Sequence, residues 1–345
     1  DYRDIQNYFY ENSRGCGINV TCSEADGYEE PIDATAYLVM GGYICSGVML
    51  NNVRQDLTPY FLTASFCVEG GSPSTFKFYF NFEADECDES SSSEYGNYAY
   101  GSELLQLENE YSNGMSALLE ITGGIEEDVF YAGWDATGNT PNISCLVHHP
   151  AGDFKRLNLD NDPAYGCSFM GGAQYHWCVD WDEGGYEGGS AGAGLFDSQF
   201  KVVGQLSGGP GDCSNGFNSY HGKFSASFNA MKEWLDPDNT GALVINGTYE
   251  VLDSELNVPG DYATIQDAID NADDGATVLV TPGTYSGVGN IDLNFEGKAI
   301  TVISESGPDS TIIDCGGEER GITFEYGEDS TAVFDGFTIT NGERT

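Results

Sequence analysis

The sequence predicts an all-β protein in two parts, and three observations carry that expectation. Residues 1 to about 247 contain many short β-type runs, among them "TAYLVM", "YFLTASF", "TFKFYFNF" and "KVVGQLSGG", set apart by Gly, Asn, Asp and Ser clusters. After "INGTYEVLDSELN" the texture changes. Strand, turn and strand recur in "ATVLVTPGTYSG", "KAITVISESGPDSTIIDCGG" and "RGITFEYGEDSTAVFDGFTITNG", at the rung spacing of a solenoid in which each coil covers the apolar face of the last. The third observation is ten widely spaced cysteines with no CxxC pair, which point to disulfides in an oxidising compartment rather than to a zinc ribbon.

The expected organisation is a first domain over 1–247, a short linker over 248–257 and the first coils of a solenoid over 258–345. Within the first domain, "FNAMKEWLD" reads as a helix stopped by "DPDNTG", and "DESSSSEYGNYAYG" as an exposed polar loop. The linker carries Val251, Leu252 and Leu256 and lacks the Gly/Ser texture of a free tether. In the second part "YATIQDAIDNA" places Ile265 and Ile269 on one helical face. The start at Asp1 and the finish just after a strand-like "FTITNG" suggest a piece of a longer precursor.

Twelve basic residues against 56 acidic ones give a formal net charge of −44, which opposes phosphate backbones and anionic lipid surfaces alike. Nucleic acid is excluded as a natural partner on that ground. No apolar run approaches the roughly 20 residues of a membrane span. An acidic surface serves solubility, cation binding or the attraction of a basic partner, and composition does not choose among these.

The first part resembles the lysyl endopeptidases, serine proteases of the trypsin type, over nearly its whole length. "CGINVTC", "CSGVMLNN", "DLTPYFLTASFC", "ALLEI", "YAGWD", "VHHPAGDFKR", "EGGSAGAGLFD", "VVGQLSGGPGDC" and "WLDPDNTG" stand in the family's order. The resemblance implies two β-barrels with a cleft between them. The second part resembles the opening of a right-handed parallel β-helix of the pectin-lyase type, through "VPGDYATIQDAID", "VLVTPGTY" and "GFTITNG".

An active member needs a serine to attack, a histidine to take its proton and an aspartate to orient the imidazole. The resemblance puts the histidine at Phe66, in "LTASFC", the aspartate at Met115, in "GMSALLEI", and the serine at Ala191, in "EGGSAGAG". None of the three can do the chemistry. The acid that receives a substrate lysine falls at Ser219, which offers no counter-charge. Reading Gly188 to Gly192 as a GxSxG elbow around Ser190 fails because that motif needs an α/β-hydrolase sheet. His148, His149 and His176 read as structural hydrogen-bonders, and the four histidines lack the HExxH spacing of catalytic zinc.

Other expectations follow from the same resemblance. Cys16 pairs with Cys213, Cys22 with Cys87 and Cys45 with Cys67, while Cys167 and Cys178 are extra and close enough to bridge. The oxyanion hole is built from backbone N–H groups, so those of Gly189 and Ala191 survive as a vestigial binding site. No cofactor is expected other than calcium, for which Asn158, Asp160 and Asp162, and separately Asp236 and Asp238, supply hard oxygen ligands. Asn19, Asn142 and Asn246 head glycosylation sequons.

The resulting expectation is a non-catalytic secreted or cell-surface protein, a pseudoprotease module on a β-helix stalk, serving binding, adhesion or extracellular assembly. Its partner would be an extracellular protein or polysaccharide, or further copies of the assembly, and its setting resembles exported proteins of Gram-negative bacteria. Two alternatives stand beside it: a carbohydrate-active enzyme with its site further along the β-helix, and a residual serine endopeptidase.

Overall fold

The computed structural model describes every residue except 1–15, 88–96, 110–113, 126–128, 172, 211, 214–218, 250–254, 318, 329–330 and 343–345. The chain divides into two compact units, Asp1–Glu250 and Val251–Thr345. The boundary falls inside the expected linker, part of which, 250–254, lies outside the described residues.

The first unit holds two sheets, antiparallel except for one parallel pairing in the second. Its N-terminal barrel consists of β2 (Thr35–Met40), β3 (Tyr43–Leu50), β4 (Tyr60–Ala64), β5 (Lys77–Tyr79), β6 (Ala99–Tyr100), β7 (Ser102–Leu107) and β8 (Ser116–Ile121), ordered β6-β5-β2-β3-β4-β8-β7. Only Gly101 separates β6 from β7, so one bent strand pairs with both ends of the sheet and closes it. Gly101 has φ +88°, a left-handed conformation that glycine adopts without penalty. The expected polar loop therefore ends earlier than its composition suggests: residues 88–96 lie outside the described residues, while Ala99 and Tyr100 are barrel strand.

Closure buries Leu38, Phe61, Phe78 and Leu119 together, with Phe61 edge-on to Phe78 at 4.9 Å. All five residues of β4 are buried, because one face fills this barrel and the other meets the core shared with the second.

The second barrel is built from β1 (Ile18–Asn19), β9 (Trp134–Asp135), β10 (Ser144–His148), β11 (Arg156–Asp160), β12 (Tyr165–Cys167), β13 (His176–Val179), β14 (Gly194–Phe196), β15 (Val202–Gly208), β16 (Ser219–Lys223) and β17 (Val244–Ile245). Its main path runs β1-β11-β10-β14-β15-β16-β13-β12. The helix Phe224–Leu235 follows and begins four residues before the sequence expectation. Its buried residues explain the difference: Phe224, Phe228, Met231 and Leu235 keep one face apolar, and Phe224 adds a turn against Trp134. Burying such side chains contributes roughly 1.5–3 kcal/mol each.

All four expected disulfides form in this unit: Cys16–Cys213, Cys22–Cys87, Cys45–Cys67 and Cys167–Cys178. Cys145 and Cys315 are free and buried.

The second unit is a parallel β-solenoid. β18 (Glu255–Val258), β19 (Thr277–Val280), β22 (Thr301–Ser304) and β25 (Val333–Asp335) stack along one face, β20 (Gly283–Ser286), β23 (Thr311–Asp314) and β26 (Thr338–Thr340) along another, and β21 (Leu293–Asn294) pairs with β24 (Ile322–Thr323). Val278, Val302 and Phe334 are in register, so apolar residues repeat inward from coil to coil. The helix Ile265–Asn271 starts at Thr264, whose hydroxyl accepts from Asp267 N, and buries Ile265 and Ile269 as their spacing predicted.

Candidate active-site cleft

The cleft is assembled from the end of β4 and a loop of the second barrel. β4 runs into a one-turn helix, Ser65–Val68, that carries Phe66 at the surface, and Ser65 N donates to Met115 O at 2.9 Å. Across from it, the loop over 187–193 is pinned by a single residue of the first barrel. Ser46 N donates to Ala191 O at 2.8 Å, while Ser46 Oγ donates to Gly189 O and accepts from His149 N, both at 2.9 Å. Gly192 is required in this loop, because a Cβ there would lie 2.1 Å from Thr63 Oγ1.

Phe66 and Ala191 line one cavity of about 650 Å³, together with Gly188, Gly189 and Tyr43. Met115 is buried and does not line it; its carbonyl accepts from Ser65 N, next to Phe66. The side chains of Phe66, Met115 and Ala191 supply no acid, base or nucleophile.

What the cleft does offer is backbone. Ser46 occupies the carbonyls of Gly189 and Ala191, and the N–H groups of these two residues have no protein acceptor among the described residues. Gly189 has φ +101°, and a Cβ there would sit 2.6 Å from His149 O, so only glycine holds this conformation. Two N–H groups flanking one residue suit a carbonyl oxygen or a carboxylate.

Ser190, between them, points the other way. Its Oγ lies 2.7 Å from His148 Nδ1, and His148 Nε2 lies 3.2 Å from Asn158 Oδ1. Asn158 Oδ1 only accepts, so Nε2 carries the proton and Nδ1 accepts from Ser190 Oγ. Ser190 Oγ in turn accepts from Glu187 N at 3.2 Å. Burial holds His148 down at about 4, so it is neutral at pH 7. Serine, histidine and asparagine are thus linked in the order of a nucleophile, a base and an orienting amide, yet all three are sealed from solvent. The sequence treated His148 and Asn158 separately. The β10–β11 register pairs Leu146 with Asn158, which sets His148 diagonally beside Asn158 on the same face.

At the position expected for the specificity acid, Ser219 Oγ donates to Val179 O at 2.9 Å and accepts from His221 Nε2 at 3.0 Å. Both residues are buried, and burial lowers His221 to about 3. The adjoining segment 214–218 lies outside the described residues.

At three of the five residues expected to hold calcium, the side-chain oxygens have other partners. Asn158 belongs to the His148 network and donates to Gly185 O at 2.7 Å. Asp236 accepts from Thr240 N, Thr240 Oγ1 and Gly241 N and pairs with Lys232, while Asp238 is bidentate to Arg54 at 2.6 and 2.7 Å. Their oxygens serve turns and ion pairs. Asp160 and Asp162 do converge, with Asp182 as the third carboxylate; burial is the largest cause raising Asp160 to about 6. Among the sequons, Asn142 and Asn246 are exposed, but Asn19 is buried and donates to Glu86 O and Cys87 O.

A sequence profile described as the lysyl endopeptidase C-terminal domain matches residues 10–225, more than half of the chain. The chain belongs to this family. A lysyl endopeptidase of Pseudomonas aeruginosa strain PAO1 is 27% identical to it over 253 residues, 65% of this chain and 52% of the relative. The chain thus spans about half the length of that curated relative. Among solved structures, the HtrA-type protease AlgW with tripeptide has a TM-score of 0.46 at 14% identity, over 63% of this chain and 65% of that one. The scabies mite inactivated protease paralogue S-I1 has a TM-score of 0.43 at 16% identity, over 59% and 94%. These likenesses concern the fold alone.

Proposed function

We propose that this lysyl endopeptidase homologue is non-catalytic and that its cleft binds peptide without cutting it, in a secreted or cell-surface setting. The observation that carries the reading is the pair Phe66 and Ala191 on one cavity, where an attacking hydroxyl and its base would have to stand. Hydrolysis needs both groups within hydrogen-bond reach of each other and of the scissile carbonyl. The bare N–H groups of Gly189 and Ala191 support the retained half of the function, since they bind a carbonyl whether or not a nucleophile is present. Four disulfides support an oxidising, extracellular setting, and no helix among the described residues is long and apolar enough to cross a membrane. Adhesion, assembly with further copies and a polysaccharide partner belong to the same proposal.

A second reading rests on the linked Ser190, His148 and Asn158, which would make the chain a residual hydrolase. Full enclosure of Ser190 Oγ stands against it, because no substrate carbonyl reaches that atom while the loop keeps this conformation. Assay of the purified chain on lysine esters and amides tests both readings: turnover at the buffer rate is expected. Turnover that survives repurification and is blocked by a serine-directed reagent would refute the first reading.

A further inference from the structure

The cleft continues beyond the positions just described. A second cavity, about 380 Å³, is lined by Lys77, Tyr79 and Tyr100 and shares Gly41 and Thr75 with the first. One groove therefore runs from Ala191 and Phe66, past the turn at Gly41, to Lys77. Added Cβ atoms at Gly41 and Gly42 would meet nothing within 4 Å, so the turn leaves its backbone open to an approaching chain.

Arg54, Lys155, Arg156 and Lys232 each pair with a carboxylate, whereas Lys77, like Lys201, Lys223 and Lys298, has no carboxylate partner among the described residues; of these four, Lys77 is the one that lines either cavity. Its ammonium instead lies 4.4 Å from the centre of the Tyr98 ring, and Tyr98 and Tyr100 are half exposed beside it. A cation held on an aromatic face keeps its charge available to an incoming anion.

We propose that this groove seats one end of an extended peptide and that a single carboxylate of that peptide pairs with Lys77; this rests on the reading that the cleft at Ala191 holds peptide. The ligand class follows from charge. A net charge of −44 repels polyanions, so the carboxylate belongs to an otherwise neutral or basic segment, as its free C-terminus or as one Asp or Glu. Tyrosine rings would also accept a sugar ring, but the continuity of the groove with the free N–H pair favours an extended backbone.

The test is fluorescence anisotropy with N-terminally labelled octapeptides of Gly, Ala, Ser, Lys and Tyr, each made with a free and with an amidated C-terminus. Free carboxylate peptides should bind roughly three- to tenfold more tightly than the amides. Lys77→Gln should remove that difference and Lys77→Arg should restore it, while circular dichroism shows the fold unchanged. Binding that Ala191→Trp abolishes and Lys77→Gln leaves unaltered would overturn this inference and leave the peptide-cleft reading standing. No binding by any peptide overturns both. Cellohexaose or polygalacturonate binding that depends on Lys77 and Tyr100, without peptide binding, would overturn the peptide assignment in favour of a saccharide.

Discussion

Replacing Ser190 by alanine separates a structural serine from a reactive one. The hydroxyl donates to His148 Nδ1 at 2.7 Å and accepts from Glu187 N at 3.2 Å, and Ser190 and His148 are fully buried. Removing it strands one buried acceptor and one backbone donor. Each unsatisfied group costs about 1–3 kcal/mol, so the pair costs about 2–4 kcal/mol when partial rearrangement is allowed for. For a unit of this size, each kcal/mol lowers the midpoint by about 2–4 °C, which places the expected shift at about 5–15 °C. Differential scanning calorimetry of Ser190→Ala beside the parent chain measures it, and a fluorophosphonate probe applied to both reports any reactive serine. A midpoint within about 2 °C of the parent, together with probe labelling that disappears in the variant, would refute the structural assignment.

Acid should destabilise the first unit early. Burial lowers His148 and His176 to about 4 and His221 to about 3, below the unfolded value of 6.5, so the unfolded chain binds protons first and stability is lost as pH falls from about 6.5 towards 4. His148 alone contributes on the order of 3 kcal/mol to this loss, offset in part by Asp160, whose raised value of about 6 works in the opposite direction. Urea midpoints that stay flat between pH 7 and pH 4.5 would contradict the burial of these rings. Non-reducing peptide mapping should recover the four disulfides, and Cys145 and Cys315 should react with iodoacetamide only after unfolding; alkylation of Cys45 or Cys67 in the native protein would contradict the cleft geometry.

The fold was legible because its signals are local or cumulative. Short apolar runs in β2, β4 and β8 announce strands, and the inward repeat at Val278 and Val302 announces stacked coils. The side-chain chemistry of Phe66, Met115 and Ala191 was also legible, since none of the three carries an acid, a base or a nucleophile wherever it lies. The groups that shape the cleft were not. Ser46 acts across more than a hundred residues of sequence through backbone atoms of the other barrel, which no side-chain pattern records. His148, Asn158 and Ser190 become one network only through the β10–β11 register and the return of the 187–193 loop. The partners of the acidic residues were hidden for a related reason: "LDPDNTG" reads as a ligand cluster, while the turn directs Asp236 onto its own amides and Asp238 onto Arg54. In a chain this acidic, carboxylate spacing carries little information until hydrogen-bond partners are known.

Peptide held without being cut is the central claim, and mass spectrometry of a saturating lysine-containing peptide tests it most directly. The peptide is incubated for a day with the purified chain, isolated in the bound fraction and weighed. The account predicts that it is retained and recovered at its original mass. Recovery of fragments ending in lysine, at a rate proportional to the amount of this chain and abolished by Ser190→Ala, would contradict it.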